Sequence, residues 1–265
     1  LNCFGIDGFI GSNLLRNSVI KISKNDKKII ISNDIKNLNP KKKPTKIKLV
    51  GSQKAPYIQF DFLENNKVVA SDLVLIDSGM DGIYEMSNRN FEKFKHLKNF
   101  EILAKSTGAS GVGLFGGGNS NEHTLLKVDS AILNNSLFSN LIINTTDDNN
   151  SRIGLDFLEY GDLIIDFKRK NAYFEFERTI TLQQKIPKYE ATVMDGKFVI
   201  GLVWDKKHAG IMRFGDEIIS INENNIAEMN LCQILALKQI LKEKTSYKLE
   251  IKNKENQIHT IQIEN

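Results

Sequence analysis

A carboxylate, a hydroxyl and a glycine stand together at Asp77-Ser78-Gly79, at the end of the apolar run Leu73-Val74-Leu75-Ile76. Such a run reads as a strand buried on both faces, and the glycine lets the backbone turn at once. The pattern therefore delivers a carboxylate to the end of a buried strand. A carboxylate so placed can act as a general base on water. Two of them held close cannot both ionise cheaply, so they share a proton over a broad pH range. One member then takes a proton from water while the other polarises a carbonyl, and the titration belongs to the pair. Asp-Ser-Gly is also an ordinary turn sequence, so the surrounding elements must decide between a turn and a site.

Other residues with chemical potential do not assemble. Gly111-Val112-Gly113-Leu114-Phe115-Gly116 has the glycine spacing of a dinucleotide loop, but Gly117-Gly118-Asn119-Ser120-Asn121 follows where a helix would have to open. A glycine-rich hairpin over a cleft, or a solvent loop without a role, fits better. His96, His123, His208 and His259 stand singly without metal-ligand spacing. Cys3 and Cys232, at opposite ends of the chain, give neither a disulfide framework nor a metal motif, which leaves the compartment open. Asp156 and Asp166 read as capping or turn residues, and Trp204 as core. No metal and no organic cofactor is expected.

The chain has 265 residues, enough for one large or two ordinary domains. Its 41% apolar and 26% charged residues are those of a globular protein. No apolar stretch approaches the roughly 20 residues of a membrane-spanning helix. The net charge of +4 is spread evenly, and the single basic cluster, Lys41-Lys42-Lys43 between Pro40 and Pro44, reads as a solvated connector. Nucleic acid would want a basic stripe with stacking aromatics, so it is not expected as a partner. Leu1 is not a methionine and no export signal follows it, while the first residues resemble the interior of a folded unit. The expectation is a longer natural chain, with more sequence upstream.

An internal repeat organises what lies around Asp77. Ile10-Gly11, Val19-Ile20-Lys21-Ile22 and Ile29-Ile30-Ile31 recur as Ile153-Gly154, Leu163-Ile164-Ile165-Asp166 and Ala172-Tyr173-Phe174, with one inserted residue near Gly161. The spacing, roughly 140 residues, is a domain-sized period. Each copy reads as a glycine corner, a short helical turn and a β-hairpin, the first through Lys24-Asn25-Asp26. Between them, Tyr57–Phe62 alternates as a half-buried strand, and Leu63-Glu64-Asn65-Asn66 turns into the strand ending at Asp77. Further strands are expected near Ile102-Leu103, Leu125–Val128 and Leu141–Ile143, with one helical patch at Asn90–Phe94. Many short strands and little helix predict a barrel or folded-over sheet.

A different unit follows Pro187. It predicts a strand at Phe198–Trp204, a turn and strand through Gly215-Asp216-Glu217-Ile218-Ile219-Ser220-Ile221-Asn222, an amphipathic helix over 230–243 and two closing strands at Tyr247–Lys252 and Ile258–Ile263. Leu231, Ile234, Leu237 and Leu241 share one side of that helix.

The Asp-Ser-Gly after an apolar strand, followed by Ile153-Gly154-Leu155-Asp156-Phe157-Leu158, resembles one lobe of a retropepsin-like or pepsin-like aspartic peptidase. In that family an apolar-apolar-Gly element crosses beneath the catalytic loop late in each lobe. Asp7-Gly8-Phe9-Ile10-Gly11 looks like the same element from a preceding lobe. Ala209-Gly210-Ile211 through Gly215-Asp216-Glu217-Ile218-Ile219-Ser220-Ile221-Asn222 resembles a bacterial PDZ domain. The implied fold is mainly β: residues 1–38 as the end of a first acid-protease lobe, 39–185 as a second closed-barrel lobe, and 186–265 as an α+β PDZ domain. The implied activity is hydrolysis of peptide bonds, with Asp77 as one catalytic carboxylate, Ser78 in the hydrogen-bond network locking two loops together, and Gly79 permitting their close approach. The substrate would be polypeptide. Gly196, Phe198, Val199, Ile200 and Gly201 would form a peptide-binding loop and strand edge of the PDZ unit, taking a polypeptide end. Such an arrangement is associated with bacterial exported or envelope proteins. The family needs a second Asp-Thr/Ser-Gly, and none occurs here; Asp7 belongs to the late element instead. The partner lies upstream, comes from another subunit, or has been lost, and the truncated first repeat favours upstream. Arg152 stands where the family has an aliphatic residue, and Met80 where it has a small one. The alternative is a catalytically silent peptide-binding protein keeping the same folds.

Overall fold

The computed structural model describes residues 7–110, 119–230, 232–234, 237 and 244–264. The chain is mainly β. β1 (Val19–Ser23), β2 (Lys28–Ser32), β3 (Thr45–Lys46), β4 (Lys48–Val50), β5 (Ala55–Glu64), β6 (Lys67–Ile76) and β7 (Tyr84–Ser87) precede helix α1 (Asn88–Phe94). β8 (Phe100–Gly108), β9 (Asn121–Leu133), β10 (Ser136–Thr146), β11 (Arg152–Ile153), β12 (Leu163–Asp166), β13 (Asn171–Phe174) and β14 (Thr179–Thr181) follow. β15 (Tyr189–Met194), β16 (Lys197–Val203), β17 (Glu217–Ile221), β18 (Asn224–Asn225), β19 (Ser246–Lys252) and β20 (Ile258–Glu264) complete the order. The glycine-rich run at 111–116 lies outside the described residues.

The chain divides into two units. One comprises Ile10–Ile102 and Leu126–Gln184; the other gathers Leu103–Leu125 with Lys185–Asn265 and the first nine residues.

In the first unit, β10-β7-β11-β6-β5-β9 form a closed six-stranded barrel, because β9 pairs with β10 as well as with β5. The local sequence explains its longest hairpin. Pro56, Ile58, Phe60 and Phe62 of β5 are buried in alternation, the period-2 pattern of a strand with one face in the core. Asn65 and Asn66 both take positive φ, 50° and 60°, which suits the two-residue turn joining β5 to β6. Phe60, Phe62, Phe138, Phe157, Phe174 and Phe176 fill the interior. β6 alternates as well: Asp72, Val74 and Ile76 are buried while Leu73 is 40% exposed. The apolar run predicted a strand buried on both faces, but a barrel strand turns only one face inward.

A five-stranded sheet, β2-β1-β12-β13-β3, carries the internal repeat. The turn after Gly11 and β1–β2 match the 3-10 helix Leu155–Tyr160 and β12–β13. β1 and β12 then pair antiparallel, with Val19 opposite Asp166 and Ile22 opposite Leu163. Since Leu163 is the repeat equivalent of Val19, and Asp166 that of Ile22, the two copies meet about a local two-fold axis. Lys21 and Asp162 bridge the pair with an ion pair of 2.6 Å. The copies differ in cover. Ile153 and Phe157 are fully buried, whereas their counterparts Ile10 and Leu14 are 67% and 73% exposed, and Ile29, Ile30 and Ile31 are exposed too.

The second unit is a sheet of order β15-β16-β17-β19-β20 with β18 beside β17. Its core holds Phe198, Ile200, Met212, Ile218, Ile221, Leu249, Ile251 and Ile263. Helical residues 232–234 and 237 begin at Asn230, whose side chain accepts from the Gln233 amide while Gln233 accepts from the Asn230 amide, a reciprocal cap. Ile234 is buried in this core; Leu231 and Leu241 lie outside the described residues. β15 was not foreseen, because Tyr189–Met194 interleaves polar and small residues. Cys232, which the sequence left without a partner, is disulfide-bonded; Cys3 lies outside the described residues.

Candidate active site

Asp77 sits just beyond β6, and its position is set by the two-residue strand β11. β11 runs parallel to β6, with Arg152 opposite Leu75 and Ile153 opposite Ile76. The Asp77 amide donates to the Ile153 carbonyl at 2.9 Å. The Asp77 side chain closes its own turn, Oδ1 accepting from the Gly79 amide at 2.9 Å. Asp77 is half-buried, and Ser78 and Gly79 are exposed at the loop tip. An aspartate whose oxygen receives the amide two residues on is a stable turn, and here it also fixes the carboxylate.

The rest of the loop is laced to the segment after Ile153. Gly154 donates to the Ile83 carbonyl, Leu155 to that of Met80 and Asp156 to that of Gly82, while Asp156 Oδ2 accepts from the Gly82 amide at 3.0 Å. Gly154 has to be glycine for lack of room: a Cβ there would stand 2.5 Å from Met80 O, 2.6 Å from Gly82 O and 3.0 Å from Asp81 O. Asp156, expected to cap a turn, does so from across the loop. Asp166 is buried in the β12–β13 turn, accepting from the Arg169 amide and guanidinium. Met80 is buried.

Behind the loop is a polar cluster that the sequence did not reveal. Asp72, just past the middle of β6, is 3% exposed. Its Oδ2 accepts from Tyr84 Oη at 2.8 Å and its Oδ1 from Asn90 Nδ2 at 2.7 Å. Ser151 Oγ, next to β11, accepts from Asn90 Nδ2 and from the Ser87 amide. Tyr84 stacks on Phe60, ring centroids 4.6 Å apart. Burial, and then the Asp72 carboxylate, push the Tyr84 phenol well above its ordinary pKa. The cluster ties β6, β7, α1 and the approach to β11 together, fixing the base from which Asp77 projects.

Arg152 faces the site. Its Nη2 contacts Glu85 Oε2 at 2.8 Å and Asp148 Oδ2 at 2.7 Å, and its Nη1 lies 3.6 Å from Asp77 Oδ2. Burial opposes its charge, but Glu85, Asp148 and Asp77 outweigh that and raise its pKa. One guanidinium thus holds three carboxylates, which explains an arginine in a position read as aliphatic: Glu85, Asp148 and Asp77 compensate the burial of its charge.

The five residues expected to bind a polypeptide end fall on one strand and its turn. Gly196 (φ 76°) and Asp195 (φ 52°) make the β15–β16 turn. Phe198, Val199 and Ile200 are buried. Val199 lies between Thr192 on β15 and Glu217 on β17. Ile200 pairs with Ala191, donates to the Asp216 carbonyl and accepts from the Gly215 amide. At Val199 and Ile200 β16 is bonded on both sides and offers no open edge; the end strands of this sheet are β15 and β20. Among the described residues no cluster of three His, Cys, Asp or Glu side chains is arranged to hold a metal, and no helix is long and apolar enough to cross a membrane.

Compared with known proteins, the chain matches no family model, no curated protein and no solved structure.

Proposed function

We propose that the chain carries one carboxylate of an aspartic endopeptidase, Asp77, in a retropepsin-like lobe, followed by a PDZ-like module. The observation that carries this reading is the strand-end aspartate laced onto Ile153–Asp156 beside a two-fold pair of repeats. The loop fixes one carboxylate oxygen with a backbone amide and leaves the tip at Ser78 and Gly79 exposed. A second aspartate, related by the β1–β12 axis, would meet Asp77 there, and the pair would share the proton needed to activate water. The pairing of β12 with β1 also bears on where that aspartate comes from. The edge of β12 is already filled, so another copy of this chain cannot add a strand to it.

A second reading rests on Arg152. A guanidinium stands 3.6 Å from Asp77 Oδ2, an ion pair at the proposed catalytic carboxylate that a silent, polypeptide-binding relative would tolerate. The discriminating experiment uses protein expressed with whatever sequence precedes this chain in its gene. A denatured protein mixture is incubated with it from pH 3 to 8. Cleavage that disappears with Asp77→Asn supports the peptidase; cleavage unaffected by Asp77→Asn refutes it, and no cleavage at any pH favours the silent reading.

A further inference from the structure

β8 crosses from one unit into the other. Phe100–Ile102 belong with the barrel, whereas Leu103 onward group with β15–β20. Within that second unit, β8 meets β16 by backbone against backbone. A Cβ on Gly108 would collide with the Gly201 carbonyl oxygen and come 3.0 Å from a ring carbon of Phe214; a Cβ on Gly201 would collide with the Ala109 carbonyl oxygen. Neither glycine has a positive φ, so each is there for space. Ala109 is 1% exposed, and Ser106 Oγ accepts from the Val203 amide at 2.9 Å. That amide lies on the stretch of β16 past Val199, where β17 no longer pairs.

We infer that the β8 segment Leu103–Ala109 is the resident partner of β16, so that this stretch of β16 is filled in cis rather than open to a free polypeptide end. Two reciprocal glycines are a demanding arrangement for a passing contact. Each removes a side chain from a packed strand and adds backbone freedom that folding must freeze, with nothing gained unless the two backbones must approach. β8 pairs with β9, β9 with β5, and β5 with β6, whose end bears Asp77. Docking of β8 does not depend on catalysis, so this inference survives or fails separately from the peptidase reading.

Hydrogen exchange on the full chain tests it. Gly108→Ala, made on the β8 side and outside the β15–β20 sheet, is expected to speed exchange of the Leu103–Ala109 amides about tenfold, with β19 and β20 unchanged. Ser106→Ala, a milder change, is expected to release the Val203 amide selectively. Gly201→Ala should reproduce the effect of Gly108→Ala, and the double variant should be no worse than either single one, since both remove one contact. Unchanged exchange of Leu103–Ala109 in Gly108→Ala, together with an unchanged Val203 amide in Ser106→Ala, overturns the inference. So does additive behaviour of the two glycine variants.

Discussion

Gly154→Ala is the sharpest single perturbation of the proposed site, because its repeat counterpart Gly11 supplies an internal control. At Gly154 the new methyl would meet three carbonyl oxygens, the nearest at 2.5 Å. Ordinary contact needs about 3.4 Å, so the Met80–Gly82 loop must retreat by nearly an ångström. Three backbone hydrogen bonds join Met80, Gly82 and the adjoining Ile83 to Leu155, Asp156 and Gly154 respectively. Overpacking of this kind is worth about 1–3 kcal/mol, and straining one of these bonds about 1 more. The expected destabilisation is about 2–4 kcal/mol. At Gly11 the nearest atoms are side-chain oxygens of Asn13 and Gln53 at 2.8 and 3.4 Å, and φ is not positive. Those side chains can swing away, so Gly11→Ala should stay within about 0.5 kcal/mol. Trp204 reports only on the other unit, so urea unfolding is followed by exchange of the β5 and β6 amides. Amide shifts of Met80–Ile83 report the loop directly. An activity assay adds a third readout, since a displacement of about 1 Å at a catalytic group can cost about a hundredfold in rate. Equal effects of the two substitutions would refute the argument that the loop rests on Gly154. If a preceding lobe is present and covers Gly11, the control itself becomes a probe, and its penalty should rise toward that of Gly154→Ala.

Three other outcomes are expected. Asp72→Ala, which strands the Tyr84 hydroxyl and Asn90 amide in the core, should destabilise the barrel by about 2–5 kcal/mol, and a double-mutant cycle with Tyr84→Phe should show coupling above about 0.5 kcal/mol; additive behaviour would remove the cluster from the account. For the Lys21–Asp162 pair, burial raises the Asp162 pKa but hydrogen bonds from Lys21 and Ser23 outweigh it, so the folded value is lowered. A lowered carboxylate contributes stability above its unfolded pKa, about 3.9, and loses it as pH falls through the folded value. Asp162→Asn should therefore be less stable than the parent at pH 7, by about 1 kcal/mol, and the gap should close in acid below about pH 4; a gap constant with pH would sink the assignment. In an alkaline titration read by phenolate absorbance, Tyr84 and Tyr189, both raised well above 10 chiefly by burial, should stay protonated after the exposed tyrosines ionise. Their raised values favour the protonated fold, so stability should hold below pH 10 and fall above it; all six tyrosines titrating together near 10 in folded protein would contradict the burial argument.

By itself the sequence determined the local pieces. Asparagines tolerant of positive φ at 65 and 66 make a hairpin, alternating aromatics in β5 make a strand with one buried face, and the Asn230–Gln233 spacing starts a helix. These are short-range consequences of backbone sterics and periodicity; the repeat, equally legible, placed Gly11 and Gly154 at equivalent positions. Tertiary structure alone decided which side chains share a neighbourhood. Asp72 reads as an ordinary polar residue in an alternating strand until α1 and β11 bring Asn90 and Ser151 to it. Arg152 reads as a misfit until Glu85 and Asp148 surround it. Gly108 and Gly201, 93 positions apart in the chain, have no pattern that joins them; only the approach of β8 to β16 makes each require the other. The barrel strand β6 also corrected its own hydrophobic run, since Leu73 faces outward however apolar it is. Composition records how much a chain can bury, whereas closure of the sheet decides which face of each strand is buried and which carboxylate is left at the rim.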